Sequence, residues 1–106
     1  DTLGSVREQF DYFDTTFCFV GHTHIPAVVA DKIGVFRVRP GSRYLINVGS
    51  VGQPRDDDAR LGFAVFDTEE IKHELIRLAY DVEGASSRIL AEGLPKDLAE
   101  RLKRGK

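Results

Sequence analysis

The chain has 106 residues, 42% of them hydrophobic and 30% charged, the proportions of one small soluble domain with a single core. Its formal net charge of −2 lacks the basic surplus that a nucleic-acid-binding patch needs, and no apolar run approaches the length of a membrane span. The single cysteine, Cys18, cannot close an internal disulfide, which excludes a secreted, stapled scaffold and leads to the expectation of a cytoplasmic protein.

The chain begins at Asp1 and contains no methionine, so it is expected to be a piece of something longer. Residues from Thr2 to about Tyr12 read as a helix. Ser5 and Glu8 fit a capping box, and Leu3, Val6, Phe10 and Phe13 form its apolar stripe. Phe17-Cys18-Phe19-Val20 is a continuous apolar run, as expected of a strand buried on both faces. Ala27 to Ala30 and Val35 to Val38 read as two strands around an Asp31-Lys32-Ile33-Gly34 turn, and Pro40-Gly41 is a further turn. Tyr44 to Val48 is the next strand. It leads into Gly49-Ser50-Val51-Gly52-Gln53-Pro54-Arg55, too rich in glycine for a regular element, and then into the charged loop Asp56-Asp57-Asp58. Leu61 to Asp67 and His73 to Tyr80 read as an antiparallel pair joined by Thr68-Glu69-Glu70. Val82 to Glu92 reads as a helix with Ile89 and Leu90 inward. Gly93-Leu94-Pro95 stops it before a last helix from Lys96 to Lys103, which carries Leu98 and Leu102. The whole is a sheet-rich α/β unit with helices at both ends.

Gly21-His22-Thr23-His24 is the segment with the most chemistry. Side chains alternate along an extended chain, so two histidines one residue apart share a face and can converge on one ion or two neighbouring ions. Imidazole suits zinc, iron, nickel and copper and tolerates manganese. A preceding glycine allows a sharp turn where the buried strand ends, and Pro26 stiffens the exit. The same spacing also suits two unconnected surface histidines. Two imidazoles do not complete a catalytic metal centre, which keeps about three protein ligands and an open position. No carboxylate has a spacing that implies coordination.

Gly21-His22-Thr23-His24-Ile25-Pro26, followed by Asn47-Val48-Gly49-Ser50-Val51-Gly52-Gln53-Pro54-Arg55-Asp56, resembles the calcineurin-like metallophosphoesterase superfamily, in its small prokaryotic phosphodiesterase-like branch. The ending is similar too, with Tyr80-Asp81-Val82, a helix, Gly93-Leu94-Pro95 and a short last helix. The resemblance covers essentially the whole chain and implies the C-terminal half of a four-layer α/β/β/α sandwich, residues 1–106 forming the C-terminal part of a single domain. It implies two divalent metal ions (manganese, iron, nickel or zinc), with His22 on the second and His24 on the first. The family's other ligands come from an Asp-x-His, a Gly-Asp-x-x-Asp, a Gly-Asn-His-Asp/Glu and a lone histidine, all of which lie upstream of the part matched here. No catalytic residue is therefore assigned within this chain.

The implied activity is hydrolysis of phosphomonoesters or phosphodiesters by metal-activated water. Asn47, Ser50 and Arg55 are candidate contacts to the phosphate-ester substrate, with Gly49 and Ser50 N–H groups as a possible anion nest. The alternatives are that the glycines only shape a turn and that Arg55 pairs with Asp56 or Asp58. A non-catalytic binding or scaffold subunit on the same fold is the competing function. The expected partners are the N-terminal half of the same protein and, for the isolated piece, a second copy of itself. Cys18 is read as an inert buried thiol, His73 as a solvent-facing residue, Asp56 to Asp58 as a solvated loop, and Arg101 to Lys106 as a solvated helix end.

Overall fold

The computed structural model describes residues 8–31, 38 and 40–106. The expected capping box at Ser5, the stripe residues Leu3 and Val6, and most of the expected strand from Val35 with its preceding turn lie outside the described residues; Val38 itself is not in a strand. A 3-10 helix at Gln9–Tyr12 is followed by strands β1 (Phe17–Val20), β2 (Ala27–Ala30), β3 (Tyr44–Asn47), β4 (Leu61–Asp67) and β5 (Lys72–Leu78). Helices α1 (Val82–Ala91) and α2 (Lys96–Arg104) complete the chain.

The strands form two sheets. In the first the order is β1-β3-β2, with β1 parallel and β2 antiparallel to β3, so the strand that enters last lies in the middle. Its register places Phe17 beside Tyr44, and Ile46 between Phe19 and Val28, all on one face. Tyr44 and Ile46 are the most enclosed of these and anchor the core. The second sheet is the β4–β5 hairpin, antiparallel from Leu61 opposite Leu78 to Asp67 opposite Lys72. Asp67 shapes its turn by accepting from the N–H groups of Glu69 and Glu70 at 2.8 and 3.0 Å.

Aromatic rings join the sheets. Phe66 of β4 lies 4.6 Å from Phe17 and 5.3 Å from Phe19, and Phe17 stacks 5.4 Å from Tyr44. Arg43, just before β3, ties the N-terminal segment down. Its guanidinium donates to the carbonyls of Phe10, Phe13 and Thr15 and sits over the Phe13 ring, 4.7 Å from its centre.

Asp81 caps α1 by accepting from the Gly84 N–H at 2.9 Å, and Gly93 at φ +75° marks the turn beyond it. The two helices meet through small groups, with the Ser86 hydroxyl donating to the Ala99 carbonyl at 3.0 Å. Contrary to expectation, Leu90 is not inward: it is 50% exposed, and α1 turns the buried Ser86 toward α2 instead.

The expectation of β1 as a strand buried on both faces also fails for this chain. β1 lies at a sheet edge, with Phe19 44% and Val20 37% exposed. The accessible surface of 7299 Å² exceeds the about 5,900 Å² that a compact protein of this mass presents, and the radius of gyration of 16.4 Å exceeds the about 13 Å expected at this length. Among the described residues, Phe19, Val20, Ile25 and Val28 contribute exposed apolar surface in and beside the first sheet.

Candidate metal centre

The histidine turn leaves β1 at Gly21 and re-enters the sheet at β2. Its geometry differs from the extended chain that the spacing suggested. His22 and His24 have φ of +84° and +63°, so two left-handed residues flank Thr23. Gly21 does not have positive φ, and the sharp turn is made by the histidines themselves. Non-glycine residues rarely adopt this region, and each costs about 1–3 kcal/mol that the surroundings must offset. Strain of this kind persists only where other contacts over-determine the backbone.

Those contacts come from the segment after β3. The Asn47 side-chain amide donates to the Gly21 carbonyl at 3.2 Å and to the Thr23 hydroxyl at 2.8 Å, while its oxygen accepts from the Gly49 N–H at 3.0 Å. Thr23 in turn accepts from the Ile25 N–H at 3.2 Å. The Arg55 N–H donates to the His24 carbonyl at 3.1 Å, and the Val48 N–H to that of Val20 at 3.1 Å. Gly49 is favoured by its φ of +80°, while an added Cβ would meet the Pro26 ring only at ordinary contact, 3.4–3.7 Å. Gly52 has no such conformation and open space around it. The two sequence motifs are thus one interlocked structure.

The ring of His24 is part of that lock. Its Nδ1 lies 2.8 Å from the Gln53 carbonyl oxygen. A carbonyl can only accept, so Nδ1 carries the proton and Nε2 is left with a free lone pair. Fixing one ring nitrogen on a backbone carbonyl is how metal-binding imidazoles are oriented. His22 is exposed and makes no hydrogen bond among the described residues. Both side chains therefore fit a divalent cation as part of a ligand set. Among the described residues no three His, Cys, Asp or Glu side chains converge to complete such a set. Beside the turn opens a groove of about 700 Å³ lined by Gln9, Val20, His22, Ile25 and Asn47.

The expected substrate contacts are placed unequally. Asn47 is engaged on both its nitrogen and its oxygen in holding the turn, and the Gly49 N–H, half of the suggested nest, is bound to it. The Ser50 hydroxyl accepts from the Gln53 N–H at 2.8 Å. Arg55 is exposed and donates to the Gln53 side chain at 3.3 Å, rather than pairing with Asp56 or Asp58.

Those aspartates are not a solvated loop. Arg77 of β5, its side chain 12% exposed, binds Asp56 through both terminal nitrogens at 2.6 and 3.1 Å and also reaches the carbonyls of Asp58 and Arg60. The Arg77 hydrogen bond holds the Asp56 carboxyl below its ordinary value, and hydrogen bonds from Arg60 hold that of Asp58 far below it. His73 does not simply face solvent either. Its Nε2 is shielded without a partner among the described residues, and burial lowers its pKa. The main-chain carbonyl of Gln53 has no side-chain signature, which is why sequence reading missed it.

No family model matches the chain. It is 39% identical over 103 residues to the uncharacterized protein MJ0912 of Methanocaldococcus jannaschii, across 92% of this chain and 42% of that protein. Its structure is similar to that of a metallophosphoesterase from Sphaerobacter thermophilus, with a TM-score of 0.87 and 32% identity over 96% of this chain and 46% of that one. The hypothetical protein PH1004 of Pyrococcus horikoshii shares the fold at a TM-score of 0.71 and 22% identity, over 96% of this chain and 36% of that one. The chain spans less than half the length of these relatives. Among the described residues no helix is long and apolar enough to cross a membrane. The mixed α/β chain has the fold of the C-terminal portion of a calcineurin-like metallophosphoesterase.

Proposed function

We propose that this chain is the C-terminal part of a single metallophosphoesterase domain, residues 1–106, and that His22 and His24 are two ligands of its dinuclear metal site. The observation that supports this most directly is the His24 ring, held by the Gln53 carbonyl so that Nε2 alone is free to coordinate. In the whole protein, bound divalent metals (manganese, iron, nickel or zinc) would polarise a phosphate ester and supply hydroxide at neutral pH. This chain's residues present the imidazoles, hold the strained turn through Asn47 and Thr23, and offer Arg55 and the donor side of the Ser50 hydroxyl to a phosphate oxygen. The substrate class is a phosphomonoester or phosphodiester, in a cytoplasmic setting. The remaining ligands and the cover for β1 and β2 come from the N-terminal half of the same protein.

The test is hydrolysis of p-nitrophenyl phosphate and bis-p-nitrophenyl phosphate by the longer protein with Mn²⁺. Activity on at least one is expected, with His22→Ala and His24→Ala each abolishing it. No hydrolysis of either ester would favour a non-catalytic binding subunit on this fold. Full activity in either histidine variant would remove that residue from the site.

A further inference from the structure

The end of α2 reaches the same loop that holds His24. Gly105, the C-cap residue of α2, has φ +68°, and an added Cβ would lie 2.6 Å from the Asp58 nitrogen, so both its conformation and its surroundings exclude a side chain. The Gly105 carbonyl accepts from the Asp57 N–H at 3.0 Å. The Lys106 carbonyl accepts from the Gln53 side-chain amide at 3.3 Å, and the Lys106 ammonium pairs with Asp57 at 3.0 Å. Asp57 itself is left-handed, at φ +64°. Pro54, between these attachments, is among the most deeply buried residues. The Gln53 residue that donates to Lys106 also supplies the carbonyl bound by His24 Nδ1.

We propose that Gly105 and Lys106 form a latch that positions the Gln53–Asp58 loop, and through it the ring of His24. The last helix is thereby coupled to the metal-facing nitrogen of a residue in the first sheet. The latch works through main-chain groups, so the Lys106 side chain is secondary and the glycine at 105 is not. These are positioning residues. Their bearing on catalysis rests on His24 being a ligand, but the ring's orientation can be read without metal.

The readout is the ¹⁵N spectrum of the His24 imidazole in the metal-free longer protein, at a pH where the ring is neutral. The unaltered protein should show a protonated Nδ1 and a lone-pair Nε2. Gly105→Ala should move both His24 signals toward their mean, as the Gln53 carbonyl is displaced and the tautomers mix. Deleting Gly105 and everything after it, so that the chain ends at Arg104, removes the latch without a steric clash and should shift them in the same sense, which keeps the test valid if Gly105→Ala does not fold. Lys106→Ala retains the carbonyl and should leave the signals in place. Gly93→Ala is the control, because Gly93 is also left-handed (φ +75°) yet has open space around it.

Unchanged His24 signals in the chain ending at Arg104 would overturn the proposal. So would an equal shift in Gly93→Ala, which would reduce the effect to general loosening. If His24 is not a metal ligand at all, the tautomer shifts stand while metal binding is indifferent to His24→Ala, so the two failures are distinguishable.

Discussion

The first sheet and the C-terminal elements β4, β5, α1 and α2 both leave large apolar side chains exposed but are held in order by different groups. The C-terminal elements are fastened by side chains: Ser86 bridges the helices beside the covered Ala99 and Leu102, and Arg77 ties β5 to Asp56, while Val65, Leu75, Leu78, Leu90 and Leu94 stay 38–50% exposed. The first sheet is open. Phe19, Val20, Ile25 and Val28 are between 37% and 47% exposed, although the same sheet holds the most strongly interlocked backbone in the chain. Order at the histidine turn is thus maintained by hydrogen bonds from a neighbouring loop and not by a surrounding core. A site held in this way can be shared between two parts of a protein, one supplying ligands and the other closing the apolar faces.

The seam between the regions is the segment from Gln53 to Arg60, and Arg77 is its main fastener. Arg77→Met should cost about 2 kcal/mol, less than the loss of a fully buried pair because Asp56 keeps some exposure. It should also split a single calorimetric transition into two as the regions uncouple. A lone transition at the original midpoint would show that the seam does not join them.

Asn47→Ala acts on the open region alone. Removing the bonds to Gly21, Thr23 and Gly49 should cost about 1–2 kcal/mol and release hydrogen-exchange protection around the turn, leaving α1 and α2 unchanged. In the longer protein it should weaken metal binding about 10–100-fold by titration calorimetry. Retained protection at the turn would mean that Asn47 is not the clamp.

The open faces predict association. The isolated chain should sediment as a dimer or larger at micromolar concentration, and Val28→Lys with Phe19→Lys should shift it toward monomer. A monomer without those substitutions would mean that the exposed surface is tolerated.

The smallest expected effects are in pH dependence. Burial lowers the folded pKa of His73 from 6.5, so the folded state binds fewer protons than the unfolded chain below that value. Stability should therefore be full above 6.5 and decline as pH falls toward the folded value, a loss that His73→Phe removes. The Asp56 carboxyl is lowered from 3.8 by Arg77, so its contribution is present above 3.8 and is lost on further acidification. Asp56→Asn should flatten that second decline without touching the first.

Much of the frame is legible in the sequence because it depends on local pattern. The bounds of β2 and β4 follow from apolar runs ended by turn residues, and the end of α1 from Gly93-Leu94-Pro95 as stop. What is not legible depends on partners far along the chain. The Asp56–Arg77 pair spans 21 positions, so the aspartates read as a solvated loop. The enclosure of His73 comes from tertiary packing, and β1 reads as fully buried from its apolar run, which does not reveal that it ends up at a sheet edge. The geometry expected from the histidine spacing is not the one observed. An extended chain was expected, whereas two left-handed residues held by Asn47 and Gln53 were found.

The most direct measurement of the central claim is anomalous diffraction from crystals of the longer protein soaked in Mn²⁺. The expected map has metal peaks at coordination distance, about 2.0–2.2 Å, from Nε2 of His24 and from one ring nitrogen of His22, with the Nδ1 of His24 still on the Gln53 carbonyl. Metal bound at Nδ1 of His24, or metal bound elsewhere with both imidazoles unligated, would contradict it.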